Sequence, residues 1–264
     1  MNFIKIVFFF ILLVSCSSND NIEMEKVVFL HHSTGRAILL GNTNNYYYRL
    51  TGKGDVKKYF ERYNRKNETN YQITAIDFPK EFPYGGRNYP YDYYNIWVKN
   101  AGDSSFMQEP TLEMLTKEYD VVVFKHCFPA GFILEDTGLP GIDSEDRRIE
   151  NYKLQYEALK LKMHSFPDTK FIVWTIPALL KSSTTEQQAQ RTYDFYKWVV
   201  DQWNEADDNI YLWDIYNYET EGGIYMKEEY AKGKSDSHPN KEFAAKLSPV
   251  FSQFIIDCIK GNVN

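Results

Sequence analysis

Five apolar, strand-like runs, each separated from the next by enough chain for a helix, constrain what this sequence can fold into more than any other feature. They are "KVVFLHH" (26–32), "YQITAIDFP" (71–79), "YDVVVFKHCFP" (119–129), "KFIVWTIP" (170–177) and "NIYLWDIY" (209–216). Several are unbroken stretches of Val, Ile and aromatic residues, the pattern of strands covered on both faces in a parallel sheet. Helical stretches lie between and after them, at 55–66, 144–166, 184–206 and 240–260. In the second of these, Ser144 is expected to cap the helix, and Ile149, Tyr152, Tyr156, Leu159 and Met163 follow at three- and four-residue steps. No internal repeat or domain linker interrupts the alternation. It predicts a single α/β domain over residues 26–264, a three-layer α/β/α sandwich around a mainly parallel five-stranded sheet.

The 264 residues are 43% hydrophobic and 25% charged, enough for a substantial core. The net charge of −6 comes without any Lys/Arg run, which argues against a nucleic-acid partner. At the amino end, Lys5, the apolar "IVFFFILLV" and "LVSC" ending at Cys16 read as a secretory signal peptide over 1–16. "LVSC" resembles a bacterial lipobox, so Cys16 is expected to be lipidated and residues 17–25 to form a polar tether. The expected location is therefore outside the cytoplasm, held by acyl chains to a membrane on its periplasmic side or at the cell surface. Cys127 and Cys258 are expected to be free thiols, and nothing in the sequence calls for a cofactor.

Ligands of open parallel sheets bind beyond the carboxyl ends of the strands, so the residues just after each strand carry most information. After the first come His31, His32, Ser33, Thr34, Gly35 and Arg36; after the third come Lys125, His126, Cys127 and Phe128. "KSDSHPN" (234–240), with Asp236 and His238, precedes the last helix. Ser33, at the start of a helix, suits a nucleophile; it needs a base, for which His238 is the candidate, with Asp236 to orient the imidazole. Arg36, one turn on, is expected either to clamp an anionic group or to pair on the surface. His164, late in a helix, is expected to serve the helix dipole, and Asp214 to hold a loop. Cys127 is a poor candidate nucleophile, because neighbouring strand residues point to opposite faces.

Residues 77–100 break the rhythm with three prolines, two glycines and five of the 21 tyrosines. This insertion reads either as a functional lid, with Tyr91 and Tyr93 (and His32 nearby) touching substrate, or as an aromatic cover on the sheet. A different chemistry is also open: His31, His32, His126 and His238 converging with Asp236 on a metal ion.

These motifs together resemble the SGNH/GDSL hydrolase family over roughly residues 26–260. His31-His32-Ser33 stands where the family has Gly-Asp-Ser, Gly102 in "NAGDSS" matches its second block, "KHCFP" stands at its Gly-x-Asn-Asp block, and "SDSHPN" at its Asp-x-x-His-Pro block. The resemblance implies a flavodoxin-like sandwich and a serine esterase that cleaves O-acyl groups, plausibly acetyl, from a small-molecule or glycan ester. It assigns Ser33 as nucleophile, His238 as base, and the amides of Ser33 and Gly102 as oxyanion donors. The family's third donor, an asparagine, is missing, and His126 is its expected substitute ahead of Cys127. The family's acid position holds Ser235, so either Asp236 reaches His238 or a backbone carbonyl orients it. A scaffold that has lost catalysis and binds glycans remains a further expectation.

Overall fold

The computed structural model describes residues 24–80 and 88–263. The signal peptide, Cys16 and most of the tether lie outside the described residues, as do residues 81–87 of the insertion.

All five expected strands form and pair in parallel: β1 (Met24–His31), β2 (Asn70–Asp77), β3 (Val121–Phe124), β4 (Lys170–Trp174) and β5 (Ile210–Trp213), in the order β2-β1-β3-β4-β5. The chain steps outward from β1 in both directions, so the crevice between the ends of β1 and β3 is the switch point where such sheets bind ligands. Helices fill both faces: α1 (Ser33–Leu40), α2 (Asn45–Thr51), α3 (Asp55–Asn67), α4 (Pro90–Tyr94), α5 (Leu112–Glu118), α6 (Ile149–His164), α7 (Glu186–Trp198), α8 (Ile215–Thr220) and α9 (Lys241–Ile259). A short antiparallel hairpin, β6 (Ala231–Gly233) and β7 (Asp236–Pro239), leads into α9; the sequence showed no sign of it.

The period-two alternation of the strands builds two cores. Val27, Phe29, Val121, Val123, Ile172 and Trp174 face α1, α3 and α9, while Val28, Leu30, Val122, Phe124, Phe171 and Val173 face α4 to α7. Phe251 of α9 is fully buried, with its ring 5.1 Å from Phe29, 4.9 Å from Trp174 and 5.2 Å from Trp213. The Ser248 hydroxyl of α9 donates to the Ile38 carbonyl at 2.5 Å and pins the end of α1. The Asn240 side chain accepts the Phe243 N–H, and Thr185 caps α7 the same way at Gln188.

One local expectation changes. Ser144 does not cap α6: its hydroxyl accepts the Asp146 N–H in a preceding turn, and the helix begins only after Arg148. Of the two readings of the tyrosine-rich insertion, its described part takes the second, an aromatic cover. Phe78, Tyr93, Trp97 and Phe124 interlock at centroid separations of 4.9 to 5.5 Å, all with at most 1% exposure.

Replacing Phe251 with Ala removes the ring shared by α9 and three strands. A loss of about 3–5 kcal/mol is expected, read as a lower urea midpoint at constant m-value.

Candidate active site

β1 ends at His31 and α1 starts two residues later, so Ser33 opens a helix directly at the carboxyl edge of the sheet. The first-turn amides of α1 have no helical acceptor and, with the helix dipole, favour negative charge beside Ser33. Close packing holds this turn down: a Cβ on Gly35 would sit 2.7 Å from His31 Cβ and 3.0 Å from Phe29 Cζ. Ser33 is exposed and shares a cavity of about 680 Å³ with His238, Arg36, Ala37, Leu40, Asn45 and Lys232 among its walls.

The β7 strand explains how Asp236, and not Ser235, comes to lie beside His238. Residues two apart on a strand share a face, so Asp236 and His238 project together. Asp236 Oδ1 lies 2.5 Å from His238 Nδ1 and also accepts the His238 N–H at 3.1 Å. Burial alone would raise the Asp236 carboxyl pKa; the His238 ring and amide outweigh it and hold the pKa below its usual value. With Nδ1 engaged, His238 Nε2 is buried without a hydrogen-bond partner, and Phe128 packs edge-on against the ring at 4.7 Å. No hydrogen bond joins His238 to Ser33 in this state. Ser33 Oγ instead lies 3.7 Å from Cys127 Sγ.

The alternation of β3 continues past its end and decides which residue meets Ser33. Val123 faces the α1 side and Phe124 the α6 side. Lys125 therefore returns beneath Gly35, His126 points away into the α6 core, and Cys127 comes back to Ser33. His126 is consequently not the third oxyanion donor. Its ring is fully buried, edge-on to Tyr93 at 4.9 Å and tilted on Tyr156 at 5.6 Å, and both ring nitrogens lack partners. Burial, then Lys125, lowers its pKa to about 3.

Gly102 is also placed elsewhere. Its carbonyl accepts from Thr111 at the start of α5, and its amide helps stabilise the Glu113 carboxylate. Burial alone would raise the Glu113 pKa, but Lys162 and nearby amides, Gly102 among them, hold it below its usual value. Glu113 pairs with Lys162, at the end of α6 that feeds the amino end of β4, so Gly102 is drawn away from the Ser33 edge.

The proposed substrate contacts divide. Arg36 lines the cavity, with its guanidinium 5.3 Å from the Tyr48 ring centre. Tyr93 is buried, its hydroxyl donating to the Lys125 carbonyl at 2.6 Å, and cannot touch a ligand. Tyr91 packs on Tyr94 and is not a cavity wall among the described residues. His32 spends its Nε2 on the Pro79 carbonyl. His31 lies against Phe29 with Nδ1 3.5 Å from Asp77, and burial lowers its pKa to about 4.

A metal centre of His31, His32, His126, His238 and Asp236 does not assemble. The group of donors that does come together among the described residues is His164, Glu205 and Asp208, at the far end of the sheet. There Lys160 pairs with Glu205, and His164 with Asp208 at 2.9 Å. Asp214 holds structure as expected, accepting from Asn217 N–H, Thr175 and Tyr196. Cys127 and Cys258 are both buried free thiols.

No family description matches the chain, and no curated protein matches it. Its fold is that of a lipase/acylhydrolase from Enterococcus faecalis, 17% identical, with 91% of this chain and 98% of that one superposed at a TM-score of 0.50. A family two carbohydrate esterase from Cellvibrio japonicus is 11% identical over 89% of this chain and 62% of its own, at a TM-score of 0.44. A gut microbial diltiazem-metabolizing enzyme is 11% identical over 88% of this chain and 46% of its own, at 0.49.

His126→Phe is expected to make the protein more resistant to acid. With a folded pKa of about 3 against an ordinary 6.5, wild-type His126 is neutral when folded and takes a proton when unfolded. It therefore costs stability progressively as pH falls from 6.5 toward 3, a cost Phe lacks. Urea unfolding at pH 7 and pH 4.5 measures the difference. An unchanged pH dependence in His126→Phe would put the wild-type ring within reach of water.

Proposed function

We propose that the protein is an exported serine hydrolase, anchored to a bacterial membrane through lipidated Cys16, that cleaves an O-acyl ester, plausibly acetyl, on a carbohydrate. The observation that carries the reading is the 2.5 Å contact of Asp236 with His238 Nδ1, which leaves Nε2 unpartnered beside the cavity that also holds Ser33. In this reading Ser33 Oγ attacks the ester carbonyl as His238 Nε2 takes its proton, and the first-turn amides of α1 receive the oxyanion. His238 then gives the proton to the departing alcohol. Water, activated by the same nitrogen, releases the acyl group from Ser33 as the free acid and restores the hydroxyl. Catalytic hydrogen bonds are often long before substrate binds, which accommodates the turn of Ser33 toward Cys127.

The alcohol half is read from the cavity wall. Asn44 and Asn45 supply amide groups, and Arg36, Lys232 and Lys241 supply positive charge, with no carboxylate in the wall among the described residues. A hydroxyl-rich or acidic sugar fits such a wall better than an alkyl chain. Beside it, α2 has no buried residue and exposes Tyr46 and Tyr47, rings suited to stacking on a sugar.

A second reading, a glycan-binding surface lipoprotein without turnover, draws on the missing Ser33–His238 hydrogen bond and the displacement of Gly102. Replacing Ser33 with Ala and following p-nitrophenyl acetate decides between them. The hydrolase reading expects kcat to fall by at least about 10³-fold. A wild type with no Ser33-dependent turnover on a panel of acetylated sugars, yet with His238-independent glycan affinity, would establish the binding reading instead. Separately, Cys16→Ala is expected to move the protein from the membrane fraction to the soluble fraction; retention in the membrane would remove the lipid anchor from the proposal.

A further inference from the structure

Lys125 has no solvent exposure, and its Nζ donates to the His126 carbonyl at 3.2 Å and to Cys127 Sγ at 2.9 Å. No carboxylate lies within ion-pair distance of it among the described residues, although the buried Glu219 feels its field. An amine taken out of water in this way is costly, and a Leu or Met would fill the same space. The position is nonetheless tightly built. The Tyr93 hydroxyl fixes the Lys125 carbonyl at 2.6 Å, and the lysine stem runs 3.3 Å from where a Cβ on Gly35 would stand. The sulfur that Nζ holds is the one 3.7 Å from Ser33 Oγ.

We infer that Lys125 is a positioning residue for Ser33, acting through Cys127; the inference rests on the hydrolase reading above. The Lys125 amine donates to Cys127 Sγ, which leaves the sulfur its own S–H for Ser33 Oγ. The amine fixes the sulfur, and the sulfur sets the direction of the Ser33 hydroxyl at the mouth of the crevice between β1 and β3. Cys127 thus lies against the nucleophile where the resemblance expects an asparagine, and Lys125 supplies from below the polarity that a weak S–H donor lacks.

The test is a double-mutant cycle of Lys125→Met and Cys127→Ala, with kcat, KM and Tm measured on p-nitrophenyl acetate, alongside Ser33→Ala. Each single variant is expected to lose about 10- to 100-fold in kcat with little change in KM, and the double variant to lose no more than Cys127→Ala alone, since the two act as one unit. Cys127→Ser, which can still accept from Nζ and donate to Ser33, is expected to lose several-fold less than Cys127→Ala. Additive losses, or losses that follow Tm alone, would overturn the inference. If Lys125→Met does not fold, equal losses in Cys127→Ser and Cys127→Ala overturn it by themselves. Turnover abolished in Ser33→Ala but intact in Cys127→Ala refutes this inference and leaves the hydrolase standing; turnover intact in Ser33→Ala refutes both.

Discussion

Side chains on a strand point alternately to its two faces, and the composition of the candidate site follows from where β1 and β3 stop counting. Phe29 and His31 face the α1 side, so the chain turns into α1 with Ser33 above the crevice and Gly35 pressed onto His31. On β3 the same alternation sends Lys125 under α1, His126 to the other core and Cys127 back to Ser33. On β7 it places Asp236 and His238 side by side. Three strands with a period of two thus deliver Ser33, His238, Asp236 and Cys127 to one edge of the sheet.

Around this edge the protein buries more ionisable groups than a core requires. His31, His32 and His126 all have lowered pKa values, with burial the leading cause in each, so they are neutral near pH 7 and add no charge to the crevice. Glu219, fully buried, is pushed up to about 8, with burial again leading. The Asp236 carboxylate, held below its usual pKa by His238, and the Arg36 guanidinium stand close to the same crevice. Buried polar groups that are not structurally necessary concentrate at functional edges, where their desolvation makes each remaining charge act more strongly.

The sequence carried the strands and the long helices because those signals are local: apolar runs and three- and four-residue steps. It misled where a residue's neighbours come from far along the chain. Ser144 has the chemistry of an N-cap, yet the turn around Asp146 takes its hydroxyl first. Gly102 sits in a suggestive "NAGDSS", but Thr111 and Glu113 hold it near the α5–α6 contact. Tyr93 looked like a ligand contact because tyrosine suits sugars; its ring instead fills the gap between Trp97 and Phe124. The alternation that sends His126 to the α6 core and Cys127 to Ser33 is itself legible in "VVVFKHC".

The sequence by itself determined an α/β sandwich of five parallel strands, because apolar periodicity and βα alternation leave few other ways to cover both faces of a sheet. It also determined that Ser33 follows a strand and that His238 precedes the last helix. Only the tertiary structure decided that these two share a cavity, that Asp236 reaches the imidazole from two residues away, and that Lys125 is sealed beneath Cys127. The shared cavity joins residues some 200 positions apart, and the Ser33–Cys127 contact joins residues 94 apart. They depend on how β1, β3 and β7 are set against one another, which packing of the two cores fixes and local propensity does not encode.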